Sequence, residues 1–318
     1  MELTTFKQGF TIRNPREEDA NRLAQVNFVL ELLYRYHGDF EPANMFCAVD
    51  EEGELLAVAH LMPHDTFDAV GHDGDARFIR YLDFEIAFAE GRETEAVKDA
   101  LTEALIGRAR EIKARYPEKR IVMAQYIDTD QTDELSYWLS RGFAVYDTIV
   151  VFKYDLEPAL PQVSLPEGVR IERYALNHPE AQAKYREAEL AAFDGVAWSL
   201  NHLGWMQGSP EMTSFCAFSG DRLIGSTSTW RITDERSATE NIFVVPEWRG
   251  RGIASALIHT ALGHLKAEGK RIATLGTHGT NRRAIALYTR LGYELYGFRQ
   301  TIGYEVDGEP SGRRDACR

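Results

Sequence analysis

TENIFVVPEWRGRGIAS, residues 239–255, is the stretch from which the fold of this chain can best be predicted. Ile242–Val245 are bulky and β-favouring, and Pro246 lacks the N–H that a ladder needs, so a strand should end there. Two arginines and two glycines follow, and we predict that a helix begins near Gly250 or Arg251. Beyond that point apolar residues recur at helical spacing, as Ile253, Ala256, Leu257, Ala261 and Leu265.

A strand followed by this basic, glycine-containing helix start predicts a site for an anion. The first N–H groups of a helix have no partner within the helix and lie at the positive end of its dipole. A pyrophosphate group fits this pattern. A Walker A loop is excluded, because neither Lys nor Ser/Thr follows Gly252. A dinucleotide-binding fingerprint is disfavoured, since residues 246–248 separate the glycines from the strand and no acidic residue follows the next strand, residues 271–275.

Two motifs at the spacing of one enzyme superfamily give the stretch a more specific interpretation. Residues 249–254, RGRGIA, resemble the acetyl-CoA signature of the GCN5-related N-acetyltransferase (GNAT) superfamily, which follows a strand ending in a Val-x-Pro-like sequence. Residues 281–293, NRRAIALYTRLGY, resemble the superfamily's Asn-x-x-Ala-x-x-x-Tyr-x-x-x-Gly-Phe element, with Tyr293 in place of the commoner Phe. The motifs lie within residues 239–293, and the broader resemblance of fold covers residues 168–306.

The resemblance implies that acetyl-CoA binds at the signature and that no metal is required. Backbone groups of the signature strand would hold the pantetheine arm and polarise the acetyl carbonyl, often beside a β-bulge. Tyr288 matches the tyrosine that protonates the leaving thiolate in much of the family. Asn281 matches an asparagine that contacts the pantetheine arm, although it could simply cap its helix. The implied cofactor-binding residues are Ile242, Phe243, Val244, Arg249, Gly250, Arg251, Gly252, Ile253, Ala254, Ser255 and Asn281.

The acceptor side of the reaction needs a base. An alkyl amine has a pKa of about 10.4 and must lose a proton before it can attack a thioester. Glu240 is the leading candidate, because it lies at the start of the signature strand, where many relatives place a carboxylate. Glu247 and His202 are lesser candidates, which a solvated turn and an ordinary loop would also explain. The aromatic segment Trp198–Met206 is expected either to line the acceptor site or to pack in the core.

Composition agrees with a soluble enzyme. The chain has 318 residues, enough for about two domains, and its 44% hydrophobic content is ample for folded cores. Cys47, Cys216 and Cys317 are unclustered and indicate neither a disulfide framework nor a cysteine metal site. No apolar run is long enough to span a bilayer, so we expect a cytoplasmic protein. A net charge of −13 disfavours nucleic acid and anionic membranes as partners and favours a cationic amine.

The first half repeats the element order of the second, as expected for a tandem duplication. Residues 135–143, LSYWLSRGF, align with residues 285–293. We therefore predict a mixed α/β fold of two tandem GNAT-like acyl-CoA N-acyltransferase domains, each a mostly antiparallel mixed sheet flanked by helices. The predicted boundaries are 1–157 for the first domain, 158–167 for a linker, 168–306 for the second domain and 307–318 for a polar tail. Predicted helices include 93–115, 132–140, 180–193 and 281–291, and predicted strands include 77–88, 143–154 and 293–306.

The first half has diverged where the function would need it intact. Residues 90–96, EGRETEA, put acidic side chains in the turn where phosphates would bind. Gln131 stands in the place of the motif asparagine, and Trp138, which has no titratable proton, in the place of the motif tyrosine. We expect a non-catalytic domain, kept for packing, for dimerisation or as one wall of the substrate cleft.

These observations predict an N-acetyltransferase. It would move an acetyl group from acetyl-CoA to a primary amine of a small molecule or peptide, by direct attack in a ternary complex. The tandem organisation is similar to that of mycothiol synthase, which acetylates a cysteinyl amino-sugar conjugate, and such an acceptor is one alternative. A non-catalytic sensor that binds acyl-CoA without turnover is another. The resemblance permits a homodimer without requiring one.

Overall fold

The computed structural model describes residues 9–26, 41–63, 67–69, 79–117, 120–208 and 211–307. The strands are β1 Phe10–Arg13, β2 Met45–Asp50, β3 Leu55–Pro63, β4 Phe67–Ala69, β5 Ile79–Phe88, β6 Arg120–Asp128, β7 Ala144–Asp155, β8 Val169–Arg173, β9 Val196–Trp198, β10 Thr213–Ser219, β11 Arg222–Arg231, β12 Arg236–Val244, β13 Ile272–His278 and β14 Glu294–Glu305. The α-helices are α1 Ala20–Val26, α2 Glu95–Arg115, α3 Thr132–Ser140, α4 Pro179–Ala192, α5 Leu200–Gln207, α6 Ile253–Ala267 and α7 Arg282–Arg290.

The two halves share one sheet and exchange their last strands at its centre. Twelve of the described strands lie in the order β1-β2-β3-β5-β6-β14-β7-β13-β12-β11-β10-β8, while β4 pairs with β9 in a separate ribbon. β14, from the C-terminal half, pairs with β6 of the first half, and β7 pairs with β13 of the second. β7 and β14 also pair with each other, antiparallel. Each half is therefore completed by a strand from the other.

Each half has its own apolar core, and a further cluster is shared between them. In the first half, α2 packs on β2, β3, β5 and β6 and buries Leu101 and Leu105. In the second half, α6 packs on β10, β11 and β12 and buries Leu257. A third apolar cluster joins the halves, because Phe152 of β7 packs beside Tyr288 of α7. The environment of Tyr288 thus depends on a strand from the first half.

Most predicted elements are observed, and the mixed α/β class is confirmed. The helix predicted at 132–140 is α3, and the helix predicted at 93–115 begins at Glu95, after Thr94 caps it. Residues 77 and 78 of one predicted strand lie outside the described residues, as do residues 308–318 of the predicted tail. The domain boundaries stay a prediction, and the strand exchange was not predicted.

One predicted helix start was wrong. The helix expected to begin near Gly250 or Arg251 begins at Ile253, after a 3-10 turn over Pro246–Trp248. Gly250 and Gly252 have φ angles of +76° and +81°, in the left-handed region that an α-helix excludes. The glycines therefore form the turn before the helix.

Candidate functional site

Two neighbouring parallel strands of the second half separate partway along their length. β12 and β13 pair through only three residue positions, the last being Ala238 opposite Thr274. Both strands continue beyond it, to Val244 and His278, without pairing with each other. The backbone of β12 after Ala238 therefore has polar groups facing a gap, as the resemblance requires for a pantetheine arm.

On its other side, β12 carries a β-bulge. Ser226 of β11 lies opposite Phe243, but Ser228 lies opposite Glu240, so one residue of β11 faces both Asn241 and Ile242. Asn241 has a φ of +47°, in the left-handed region. A bulge adds a residue to one strand and takes local backbone groups out of the ladder. The expected bulge thus lies within the signature strand.

The turn before α6 presents an open helix N-terminus. Gly252 is the N-cap residue, and because it is glycine the cap has no side chain. A Cβ atom added at Gly250 or Gly252 would have nothing within 4 Å, so the space beside both is free. The helical hydrogen bonds start with the Ala256 N–H donating to the Gly252 carbonyl at 3.0 Å, which leaves residues 253–255 ahead of the ladder. Such a terminus suits an anionic group.

The two signature arginines are placed differently. Arg249 donates from Nε to the Val244 carbonyl at 3.0 Å and from a terminal nitrogen to the Ala192 carbonyl at 2.6 Å. It therefore ties the end of β12 to the end of α4. Arg251 is exposed; its guanidinium lies 4.8 Å from the centre of the Trp248 ring and donates one hydrogen bond, to the Glu247 carbonyl at 3.2 Å. Of the two, Arg251 is the one with a guanidinium available to a solvent-side anion.

The second motif forms α7. The Asn281 side-chain oxygen accepts a hydrogen bond from the Ala284 N–H at 3.2 Å and so caps the helix. Tyr288 is buried, and burial raises its pKa to about 12. Its ring lies 5.9 Å from that of Phe152, and Ile242 packs against the same cluster. The phenol therefore keeps its proton at neutral pH, as an acid must.

Glu240 lies on β12, two residues past the end of the parallel ladder. Its side chain reaches solvent, yet the protein groups around it displace enough water to raise its pKa to about 7. The positive charge of Arg299, on the exchanged strand β14, opposes part of this rise. A carboxyl that titrates near neutral pH suits a general base.

The lesser candidates for the base lie in less suitable places. Glu247 is exposed and forms an ion pair with Arg222. His202 lies on α5 with its ring 4.9 Å from that of Trp198. The Trp205 side chain lies outside the described residues. The segment Trp198–Met206 therefore packs on the second-half core, in which the Trp198 and Met206 side chains are buried.

Within its described residues, the first half shares the separation of its parallel strands, since β5 and β6 pair only as far as Asp83 opposite Ala124, but it lacks the bulge and the uncapped helix start. β5 pairs with β3 without a register shift from Leu82 to Phe88, so no bulge interrupts that strand. The start of α2 is capped by the Thr94 hydroxyl, which accepts from the Val97 N–H at 3.3 Å. Glu134 accepts a hydrogen bond from the Trp138 indole and forms an ion pair with a lysine of α2. These contacts tie α2 to α3 at the position that corresponds to the uncapped helix start of the second half.

Within the described residues, no group of three or more His, Cys, Asp or Glu side chains is arranged to hold a metal ion. Among the described helices, none combines the length and the apolar character needed to cross a membrane. Cys47 and Cys216 are buried free thiols, that of Cys216 donates to the Ser226 hydroxyl at 3.6 Å, and burial raises the pKa of each to about 12.

Comparison with known proteins agrees with this site. Residues 175–293 match the sequence model described as the Acetyltransferase (GNAT) family. An uncharacterized N-acetyltransferase of Methanocaldococcus jannaschii is 31% identical over 116 residues, which are 35% of this chain and 51% of that protein. A mycothiol acetyltransferase of Gordonia bronchialis is 28% identical over 156 residues, 46% of this chain and 50% of that protein. The chain spans about half the length of these two relatives.

A solved structure extends the likeness to both halves. It is a tandem GNAT protein from the clavulanic acid biosynthesis pathway, which superposes with a TM-score of 0.63 at 15% identity. The superposition covers 94% of this chain and 99% of that one, and at this identity it shows the fold alone. From the family match and the relatives, we conclude that residues 175–293 form a domain of the Acetyltransferase (GNAT) family, within a two-half fold like that of the tandem GNAT protein.

Proposed function

We propose that the chain transfers an acetyl group from acetyl-CoA to a primary amine, in a ternary complex formed by its second half. The observation that carries the proposal is the combination of an open helix start at Gly252 with a bulged, splayed strand at Asn241. In the described part of the first half, β5 and β6 also separate, but β5 has no bulge and the Thr94 side chain caps the start of α2. The relatives named as acetyltransferases support the reaction class.

The cofactor would be held mainly by main-chain groups. N–H groups at the start of α6 would receive the pyrophosphate, and Arg251 would add positive charge. Backbone groups of residues 242–244 would receive the pantetheine arm and polarise the thioester carbonyl. Since these contacts use the backbone, the side chains of Phe243 and Val244 remain free to pack in the core, where both are buried.

Proton transfers would fall to two side chains. Glu240, as a carboxylate, would accept a proton from the acceptor amine, directly or through water. The neutral amine nitrogen would bond to the carbonyl carbon and release its surplus proton to solvent, and the carbon–sulfur bond would break as the tetrahedral intermediate collapses. Tyr288 would give its phenolic proton to the departing thiolate. The products are an N-acetylated amine and CoA, and proton exchange with solvent restores both side chains.

The acceptor is proposed only as a primary amine. Mycothiol acetyltransferases are among the relatives, so a cysteinyl amino sugar belongs in any test, beside simple amines, amino acids and peptides. Mass spectrometry of reactions with acetyl-CoA should show a 1:1 acetylated product for at least one acceptor. Acetyl-CoA binding with no product from any amine would instead support a sensor without turnover, and would contradict the proposal.

A further inference from the structure

Asn241 adopts a backbone conformation that most residues avoid. Its φ of +47° lies in the left-handed region, which is unfavourable for residues with a Cβ atom, although Asn tolerates it better than most. The residue lies inside a strand, where an ordinary extended conformation would continue the ladder with β11. A bulge often places one residue in this region, usually a glycine, so at an asparagine the strain must be offset by other contacts.

Two buried side chains of α4 supply that contact. The Asn241 Nδ2 atom donates to the Tyr185 hydroxyl at 2.8 Å and to the Glu189 Oε1 atom at 2.6 Å. An amide nitrogen carries two N–H donors, so both are used. Tyr185 and Glu189 lie one helical turn apart, at spacing i and i+4, so they form one rigid acceptor pair on the same face of α4. A change of φ at Asn241 would move its amide away from this pair.

The pair is itself fixed in the core. Tyr185 and Glu189 are 0% and 1% exposed, and the Tyr185 ring lies 5.5 Å from that of Phe243, just beyond the bulge. Burial raises the pKa of the Glu189 carboxyl to about 7, and its Oε2 atom has no hydrogen-bond partner among the described residues. Burying a carboxyl is costly, and the contact to Asn241 offsets only part of that cost. An apolar residue in place of Glu189 would be buried at a lower cost in free energy. The carboxyl is therefore better explained by its contact with Asn241 than by packing.

We propose that Asn241, Tyr185 and Glu189 are positioning residues that hold the β12 bulge open, so that backbone groups around Ile242 are available to the acyl thioester. The inference rests on the proposed acetyl transfer and adds the device that shapes its site. In the first half, β5 has no asparagine in its last four residues, Glu85–Phe88, and it pairs without interruption. The bulge and its support are thus present together in one half and absent together from the described part of the other.

Comparison of Asn241→Ala with Asn241→Gly tests the inference. Both variants lose the two hydrogen bonds, but glycine adopts a positive φ freely whereas alanine does not. We expect Asn241→Ala to lower kcat at least about tenfold more than Asn241→Gly. Asp194→Ala is the control, because Asp194 also has a positive φ, +53°, outside the bulge. Equal kcat values for the alanine and glycine variants, or a wild-type value for both, would overturn the inference.

A second readout separates this inference from the proposed function. Amide hydrogen exchange of residues 239–245, measured without ligand, should change in Asn241→Ala and in Glu189→Leu but stay near wild type in Asn241→Gly. Wild-type protein that binds no acetyl-CoA would sink the proposed function, and this exchange pattern would still decide whether the three residues hold the bulge. Unchanged exchange in Asn241→Ala would show that they do not.

Discussion

At the residue scale, Tyr288 has the protonation state and surroundings of an acid. It is buried, its pKa is raised to about 12, and it packs against Phe152. We predict that Tyr288→Phe lowers kcat roughly 100-fold, because a positioned acid contributes that much or more. Acetyl-CoA affinity should change little. Tyr154→Phe, in the same cluster, is the matched control, and equal kcat losses in both variants would rule out the acid role.

As the proposed base, Glu240 would give the reaction a pH dependence with a definite sign. Its pKa of about 7 means that the carboxylate, the form that accepts a proton, predominates only above that pH. We predict that kcat/KM rises with pH through about 7 in the wild type. Glu240→Gln should remove this rise and lower the rate at high pH roughly 100-fold. If the rise in kcat/KM persists in Glu240→Gln but disappears in Glu247→Gln, the base is Glu247 and the assignment to Glu240 is wrong.

The sequence motifs predicted part of this candidate site. Tyr288, Asn281 and the glycines follow a motif whose spacing is readable in one dimension. The bulge is different, because Asn241 stands in a β-favouring run and its partners on α4 lie more than fifty residues earlier in the chain. A lone asparagine in a strand was the only available signal, and it does not identify its partners.

At the element scale, the signature strand depends on a close approach by β11. A Cβ atom at Gly225 would lie 2.8 Å from the Phe243 carbonyl oxygen and 3.1 Å from the Leu257 side chain. We predict that Gly225→Ala destabilises the fold by about 1–3 kcal/mol, as overpacking does. It should also weaken acetyl-CoA binding, because the displaced carbonyl belongs to the cofactor strand.

Gly263→Ala provides the control for this element. Gly263 lies inside α6, and its added Cβ atom would meet only a side-chain atom of Leu160 at 4.0 Å. Alanine is the better helix former, so this variant should be as stable as wild type or more stable. Thermal denaturation and calorimetry would compare the two. A Gly225→Ala protein with wild-type stability and affinity would contradict the close approach.

Element bounds were largely readable from periodicity, as α3 and α7 illustrate, and for α7 also from its capping residue Asn281. The start of α6 was not, because helical spacing cannot show that Gly250 and Gly252 adopt left-handed conformations. The strand exchange was also beyond reach. β7 and β14 follow equivalent helices and have similar lengths, so local pattern alone permits either strand to complete either half.

At the scale of the whole molecule, the exchange makes the second-half site dependent on first-half residues. Phe152, from the first half, packs on Tyr288, and β7 separates β13 from β14. We predict that Phe152→Ala lowers both stability, by about 3–5 kcal/mol, and kcat. Phe143→Ala should lose similar stability, since Phe143 is equally buried in the first-half core, but should keep kcat when assayed below its melting temperature. Equal effects on kcat would contradict this dependence.

The central claim is that one acetyl-CoA site exists per chain, at the start of α6. Calorimetric titration of acetyl-CoA into the wild type, Gly252→Glu and Gly91→Glu tests it most directly. Gly91 and Gly252 both have positive φ angles, +71° and +81°, and open space at the Cβ position, so backbone strain is matched. We predict one site in the wild type and in Gly91→Glu, and a Kd raised at least about 100-fold in Gly252→Glu, whose carboxylate would face the phosphates. Two sites, no binding, or equal loss in both variants would contradict the account.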